Sequence, residues 1–245
     1  MASLPRRHAK NPLETVDMSY ELLKQQAAFA ALAYLKPGQI IGVGTGSTVH
    51  YFIEALVTAQ LNCRGAIASS EATATHLKAK GVSLTALNEV EGLPIYIDSA
   101  DYINKHFHLI KGGGGALTRE KILAYASHQF ICIADHSKFI TNLDENNYPP
   151  VPIEVLPMAR TFVEKAVRKL GGDPHYRPSF VTDNGNIILD VKGLNYNSLL
   201  HLECTLNQIP GTIANGLFTQ RRPDIVLLAT PQGIQTLTAP QISRR

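Results

Sequence analysis

The sequence predicts an α/β fold: a doubly wound, mostly parallel, Rossmann-like sheet with an inserted ferredoxin-like α+β domain. Three observations lead there. Between residues 39 and 135, short apolar runs alternate with polar loops and helix-patterned segments, the repeat produced by parallel sheets with covering helices. At Tyr148-Pro149-Pro150-Val151-Pro152, clustered prolines break this texture and mark a boundary. The elements beyond it read β-α-β-β-α-β, a ferredoxin-like order, and a final buried run at 224–229 fits back into the first sheet. The expected organisation is an α/β domain of 16–147 plus 220–238, a ferredoxin-like domain of 148–219, and tails at 1–15 and 239–245.

Residues 18–35 place Leu22, Leu23, Ala27, Ala30, Ala31 and Tyr34 near one side of a helix, and Pro37-Gly38 ends it. A strand at 39–43 runs into Gly44-Thr45-Gly46-Ser47-Thr48 and a helix through about residue 58. A second strand, 64–68, leads into Ser69-Ser70-Glu71-Ala72-Thr73 and a helix ending near Gly81. Short strands are expected at 82–84 and 93–97, the latter followed by Asp98-Ser99-Ala100-Asp101. Residues 106–110 lead into Gly112-Gly113-Gly114-Gly115 with a helix at 116–127, and 130–134 is a buried strand ending in Asp135-His136-Ser137-Lys138. In the insertion, 153–155, 180–182, 187–191 and 211–218 read as strands, and 157–170 and 198–208 as helices. Asp183-Asn184-Gly185-Asn186 is the hairpin turn there.

Composition excludes several classes. At 245 residues with 44% hydrophobic and 18% charged content, the chain can bury a sizeable core, and a net charge of +3 gives no case for nucleic acid. Arg6, Arg7, Lys10, Arg244 and Arg245 read as solvated tails. Cys63, Cys132 and Cys204 are odd in number and far apart, which fits a reducing, cytoplasmic compartment rather than a disulfide framework. The N-terminal stretch lacks an apolar h-region, and the longest small-and-apolar run, 27–35, is too short to span a bilayer, so no membrane association is expected.

Polar loops in such folds gather at the carboxyl ends of the parallel strands, where ligands bind. Four consecutive glycines strip a length of main chain of side chains and present amides, with Lys111 before them and Glu120 one turn into the following helix. A cation and a carboxylate beside such amides can stabilise an anionic intermediate and move a proton. The loop 42–48 lacks the Walker lysine and puts Ser47 where a dinucleotide fingerprint needs its last glycine. It reads as a small phosphate pocket, with helix N-terminal amides and the Ser47 and Thr48 hydroxyls, or as a plain helix cap. Ser69, Ser70 and Thr73 read as a cap. Asp98 and Asp101, at a strand end, can take sugar hydroxyls and shuttle a proton, or be an ordinary cap with a solvated neighbour. Lys111 and Lys138 follow two strand ends. Neither the cysteines nor His106 and His108 have metal-ligand spacing, so no metal is expected.

Together, GVGTGST (42–48), DSAD (98–101), KGGGGALTREKI (111–122), ADHSK (134–138), VTDNGNIILDV (181–191) and IPGTIANGLF (209–218) resemble type A ribose-5-phosphate isomerase, in order over 18–236. The resemblance implies cofactor-free interconversion of ribose 5-phosphate and ribulose 5-phosphate in the non-oxidative pentose phosphate pathway. It implies Glu120 as the base between C2 and C1, Lys111 with Gly112, Gly113 and Gly114 as a substrate loop, and Asp98 and Asp101 for ring opening and hydroxyl recognition. Lys138 matches a second substrate lysine. Thr45, Gly46, Ser47 and Thr48 match the first loop, with Ser47 and Thr48 on phosphate, and Lys24 is a further phosphate partner. Ser99 and Ala100 fall within the substrate loop, and a homodimer or homotetramer is implied. The family usually reads D-G-A-D-E where this chain has Asp98-Ser99-Ala100-Asp101-Tyr102. Ser99 adds a side chain where glycine permits a tight approach, and Tyr102 removes a carboxylate. Rival functions are a sugar-phosphate sensor that keeps the pocket without the chemistry, and a sugar-phosphate deaminase or lactonase.

Overall fold

The computed structural model describes residues 12–140 and 149–239; Arg6, Arg7, Lys10, Tyr148, Arg244 and Arg245 lie outside them. The first helix, α1 (Pro12–Ala31), starts earlier than the apolar pattern indicates and ends in a 3-10 turn, Leu32–Tyr34. Then come β1 (Ile40–Val43), α2 (Ser47–Thr58), β2 (Gly65–Ala68), α3 (Glu71–Ala79), β3 (Leu93–Asp98), β4 (Tyr102–Asn104) and β5 (Leu109–Ile110). They are followed by α4 (Leu117–Ala126), β6 (Ser127–Asp135), β7 (Phe139–Ile140), β8 (Val151–Val155), α5 (Arg160–Lys169) and β9 (Asp173–Tyr176). The chain closes with β10 (Ile187–Lys192), α6 (Leu199–Asn207), β11 (Thr212–Asn215), β12 (Leu217–Phe218), β13 (Ile225–Thr230) and β14 (Gly233–Thr238).

The central sheet has the order β14-β13-β6-β3-β1-β2 and is parallel except for its edge strand β14. Strands such as Ile-Ile-Gly-Val are apolar without alternation because both faces are covered. On one face Leu23, Phe52, Ile53, Leu56 and Leu77 pack with Ile41, Val43 and Ile97, and the fully buried Ala27, Ala28 and Ala31 bring α1 close to the sheet. On the other, Leu123 and Ala124 of α4 pack with Tyr96, Phe130 and Phe218. The inserted sheet runs β11-β8-β10-β9 with antiparallel neighbours, the fourth, first, third and second strands of a ferredoxin-like unit.

Several sequence expectations are corrected. Residues 180–182 are not a strand: the second strand of the insertion is β9, whose Asp-Pro-His-Tyr sequence lacks an apolar signal and whose Pro174 is tolerated at a sheet edge. The Asp183–Asn186 turn closes locally, Gly185 N donating to Thr182 O at 2.9 Å, within a long loop that folds over the glycine run. The single strand expected at 211–218 divides at Gly216 into β11 and β12. A third sheet, β12-β5-β4-β7, results, and its two- and three-residue strands are too short to show periodicity. Residues 82–84 form only an isolated bridge, Ala66 to Leu84. In the segment that leads into the glycine run, His106 lies in a turn, because Asn104 Oδ1 accepts from His106 N and His108 N at 2.9 and 3.0 Å.

Candidate active site

The carboxyl ends of β1 and β3 meet at one point. Gly44 N donates to Ile97 O at 2.8 Å, and Thr45 N donates to Asp98 Oδ1 at 3.0 Å. The contact requires glycine, since a Cβ on Gly44 would lie 1.9 Å from Asp98 Oδ1. Gly44→Ala is therefore expected to lower the melting temperature, with about 1–3 kcal/mol of overpacking, and to lower activity with it. Thermal melts and turnover assays check this; wild-type values in both would show that Asp98 moves aside at no cost. The Thr45 hydroxyl is the hub of a cluster, 2.7 Å from Ser69 Oγ, 2.9 Å from Ser70 Oγ and 3.3 Å from Thr73 Oγ1. Ser70 caps α3 by accepting from Thr73 N at 3.1 Å, so the second serine loop braces the first. Gly46 caps α2, leaving the exposed Ser47 and buried Thr48 in a first turn whose amides have no intrahelical acceptor.

Behind this loop lies a buried charge cluster. Asp98, Lys111 and Glu120 are 0%, 2% and 4% exposed. Lys111 Nζ is 2.8 Å from Asp98 Oδ2, 3.4 Å from Glu120 Oε1 and 2.5 Å from the Ser99 carbonyl. Asp98 also accepts from Ser99 N at 2.7 Å and from the Tyr96 hydroxyl, so four donors reach its two oxygens. Glu120 has the weaker contact with the lysine, and its buried Oε2 has no hydrogen-bond partner. One ammonium cannot balance two buried carboxylates. Burial and the negative charge of Asp98 push the Glu120 carboxyl up to about 8, against the opposing pull of Lys111. For Lys111, burial is outweighed by Asp98 and Glu120, which hold the ammonium charged.

The glycine run sets this geometry. Gly112 and Gly115 have φ of 107° and 78°, and Gly115 N donates to Gly112 O at 2.9 Å, closing a turn immediately before α4. Gly115 also passes under Phe180, whose ring a Cβ would meet at 2.2 Å. Gly113 N donates to Asp101 Oδ2 at 2.8 Å, so one amide of the run is held by that carboxylate, while Gly114 faces open space. Residues that sequence reasoning missed complete the wall. Arg177 grips Asp190 at 2.6 Å and donates to Gly113 O at 3.1 Å. Arg119 spans Glu71, Asp183 O and Asn184 at 2.7, 2.9 and 2.9 Å, tying α4 to the start of α3 and to the insertion. Tyr96 could have been found: two residues before Asp98 on a strand, it shares that residue's face.

The family model for ribose 5-phosphate isomerase A (phosphoriboisomerase A) matches residues 65–233. The chain belongs to the ribose 5-phosphate isomerase A family. Ribose-5-phosphate isomerase A of Legionella pneumophila (strain Corby) is 52% identical over 215 residues, covering 88% of this chain and 98% of that protein. The solved ribose 5-phosphate isomerase A of Neisseria gonorrhoeae superposes with a TM-score of 0.87 at 39% identity, over 91% of this chain and 98% of that one. A D-ribose-5-phosphate isomerase solved in complex with phospho-erythronic acid gives 0.83 at 33% identity, over 89% and 99% of the two chains.

Two departures from the usual sequence of ribose 5-phosphate isomerase A have structural explanations. Ser99 is not among the residues with positive φ, and its hydroxyl donates to Thr45 O at 3.1 Å, so the side chain braces the first loop. Tyr102 pairs with Ile110 and packs on the core of the inserted sheet. Lys138 ends a 3-10 turn after β6, capped by Asp135, which accepts from Ser137 N at 3.0 Å. Lys24 is paired with Glu21 at 2.6 Å, and Glu21 also accepts from Tyr51 of α2 at 2.5 Å, which places this lysine on the seam between α1 and α2. Among the described residues no helix is long and apolar enough to cross a membrane.

Proposed function

We propose that the chain interconverts D-ribose 5-phosphate and D-ribulose 5-phosphate by cofactor-free proton transfer through an enediolate. Glu120 carries this reading: it is a buried carboxyl with one oxygen against Lys111 at 3.4 Å and the other without a partner. A carboxylate whose proton affinity is raised by burial is a stronger base toward a carbon acid beside a carbonyl. Glu120 takes the proton from C2 and returns it to C1. Lys111 supplies the fixed positive charge for the developing enediolate oxygen, and the amides of Gly112 and Gly114 add donors, each typically worth about 3–4 kcal/mol. Asp98 fixes Lys111 and Thr45 in place. Asp101, only half-buried, takes a sugar hydroxyl and the ring-opening proton, with Ser99 and Ala100 forming the strip between the two aspartates.

The phosphate sits at the N-terminus of α2 on Gly46, Ser47 and Thr48, where the helix dipole favours a dianion. Lys138 and Lys24 add positive charge from the turn after β6 and from α1, Lys24 by leaving Glu21. Phospho-erythronic acid, held by one solved relative, is a phosphorylated acid of the kind such a pocket takes. The inserted unit at 148–219, the α/β unit at 16–147 with 220–238, a cytoplasmic location and assembly into a homodimer or homotetramer complete the reading.

The raised Glu120 pKa has opposite consequences for activity and stability. Between the ordinary carboxylate value of 4.5 and about 8, the folded chain holds a proton that the unfolded chain releases. This group therefore makes stability fall as pH rises through that window. Over the same window kcat/KM is expected to rise as the base ionises. Melting curves and initial rates across the range check both signs; activity falling as pH rises toward 8 would remove Glu120 as the base. The reaction itself is tested by NMR of ribose 5-phosphate with the full chain in chelator. Ribulose 5-phosphate is the expected product; lost ammonia, a hydrolysed lactone or binding without turnover would assign the pocket to other chemistry.

A further inference from the structure

Outside the carboxylate cluster, three side chains with metal-ligating atoms converge on the surface of α2 and α3. His50 and Glu54 are one helical turn apart on α2, and His76 reaches them from α3. Glu54 Oε1 is 2.9 Å from His76 Nε2 and 4.0 Å from His50 Nε2, and the three ligand atoms all lie within 4.8 Å of one another. Ligands held at about 2.0–2.2 Å in a tetrahedral shell are roughly 3.3–3.6 Å apart. The observed separations bracket that value, so small side-chain rotations close the shell. The two imidazoles are stacked, with centroids 4.1 Å apart and planes 22° from parallel, so both edges turn toward the same carboxylate.

We propose that His50, Glu54 and His76 form a binding site for a divalent transition metal of the zinc, nickel and copper class. Two imidazole nitrogens and one carboxylate oxygen suit these ions and not magnesium or calcium, which take all-oxygen shells. Lys80 does not occupy the same atom: its Nζ is 2.8 Å from Glu54 Oε2, leaving Oε1 directed at the histidines. The lysine thereby fixes the carboxylate's orientation, as partners behind metal ligands commonly do. His50 and Glu54 are exposed enough, at 59% and 38% for their side chains, for water to complete the shell. His50 is in the first turn of α2, two residues after Thr48, and α3 begins at the Ser70 cap wired to Thr45. A metal here clamps together the two helices that carry the phosphate loop and its brace. Its role is stabilisation; proton transfer does not pass through it, and the site stands independently of the reaction assigned above.

Isothermal titration of zinc ion into the metal-stripped full chain tests the site. One-to-one saturable binding is expected, with a rise in melting temperature as zinc is added. His50→Ala, at an exposed position, and the double variant H50A/H76A are each expected to lose at least about tenfold in affinity. A variant that keeps the wild-type metal-free melting temperature makes the comparison direct. Absence of saturable binding in the wild type overturns the proposal, as does binding that either variant retains within tenfold.

Discussion

Replacing Glu120 by glutamine is expected to leave ribose 5-phosphate binding largely intact and to lower turnover at least about a hundredfold, the low end for loss of a general base. Glutamine keeps the size of the side chain and can still contact Lys111, but it cannot accept a proton from carbon. The first turn of α2, proposed above to hold the phosphate, and the Asp98–Lys111 contact at 2.8 Å are untouched by the change. Calorimetric affinity and steady-state turnover separate the two effects. Turnover within a few-fold of wild type would mean that another group removes the proton. The variant carries a second signature. Because the Glu120 carboxyl is held above its ordinary range by burial, glutamine should abolish the part of the stability loss between 4.5 and about 8 that this group causes. A glutamate merely seated at a helix surface would give no such change.

The second large effect is expected from Lys111→Ala. It leaves Asp98 and Glu120 buried together without the ammonium between them, and removing one partner of a buried pair typically costs about 3–5 kcal/mol. Binding and turnover should fall together, since in the proposed reaction the same charge faces the reacting oxygen. Denaturant unfolding measures the stability change. Adding Asp98→Asn to Lys111→Ala should recover part of it, because the uncompensated carboxylate is then gone; strictly additive losses would show that the two side chains are not energetically coupled. A stability loss with substrate affinity unchanged would make Lys111 a structural residue only.

Most of the central sheet could be read from sequence because its strands are buried on both faces and each ends in a polar loop. Ile40–Val43, Gly65–Ala68 and Leu93–Asp98 follow this rule. The elements that escaped have weak local signals: β9 is Asp-Pro-His-Tyr, β12 has two residues, and the edge strand β14 is mostly exposed. Their existence depends on partners distant in sequence, as when Leu217 pairs with Ile110. The site divides in the same way. Lys111, the glycines and Glu120 are contiguous and visible as one stretch. Arg177 lies on a loop that folds back over that stretch, Arg119 finds its partners on that loop and at the start of α3, and the His50–Glu54–His76 cluster draws on two helices, so no local spacing reveals them. The glycine run itself is less open than its sequence suggests, because Asp101 holds the Gly113 amide and Arg177 holds the carbonyl.

Proton transfer by a side-chain base has a direct isotopic consequence. Ribose 5-phosphate equilibrated with the full chain in deuterium oxide, through many cycles of interconversion, should acquire carbon-bound deuterium at C2 of the aldose and C1 of the ketose as the proton on Glu120 exchanges. NMR and mass spectrometry read the label. Deuterium at those carbons is the predicted result; complete interconversion with no carbon-bound deuterium would indicate hydride migration within the sugar and would contradict a role for Glu120 as the base.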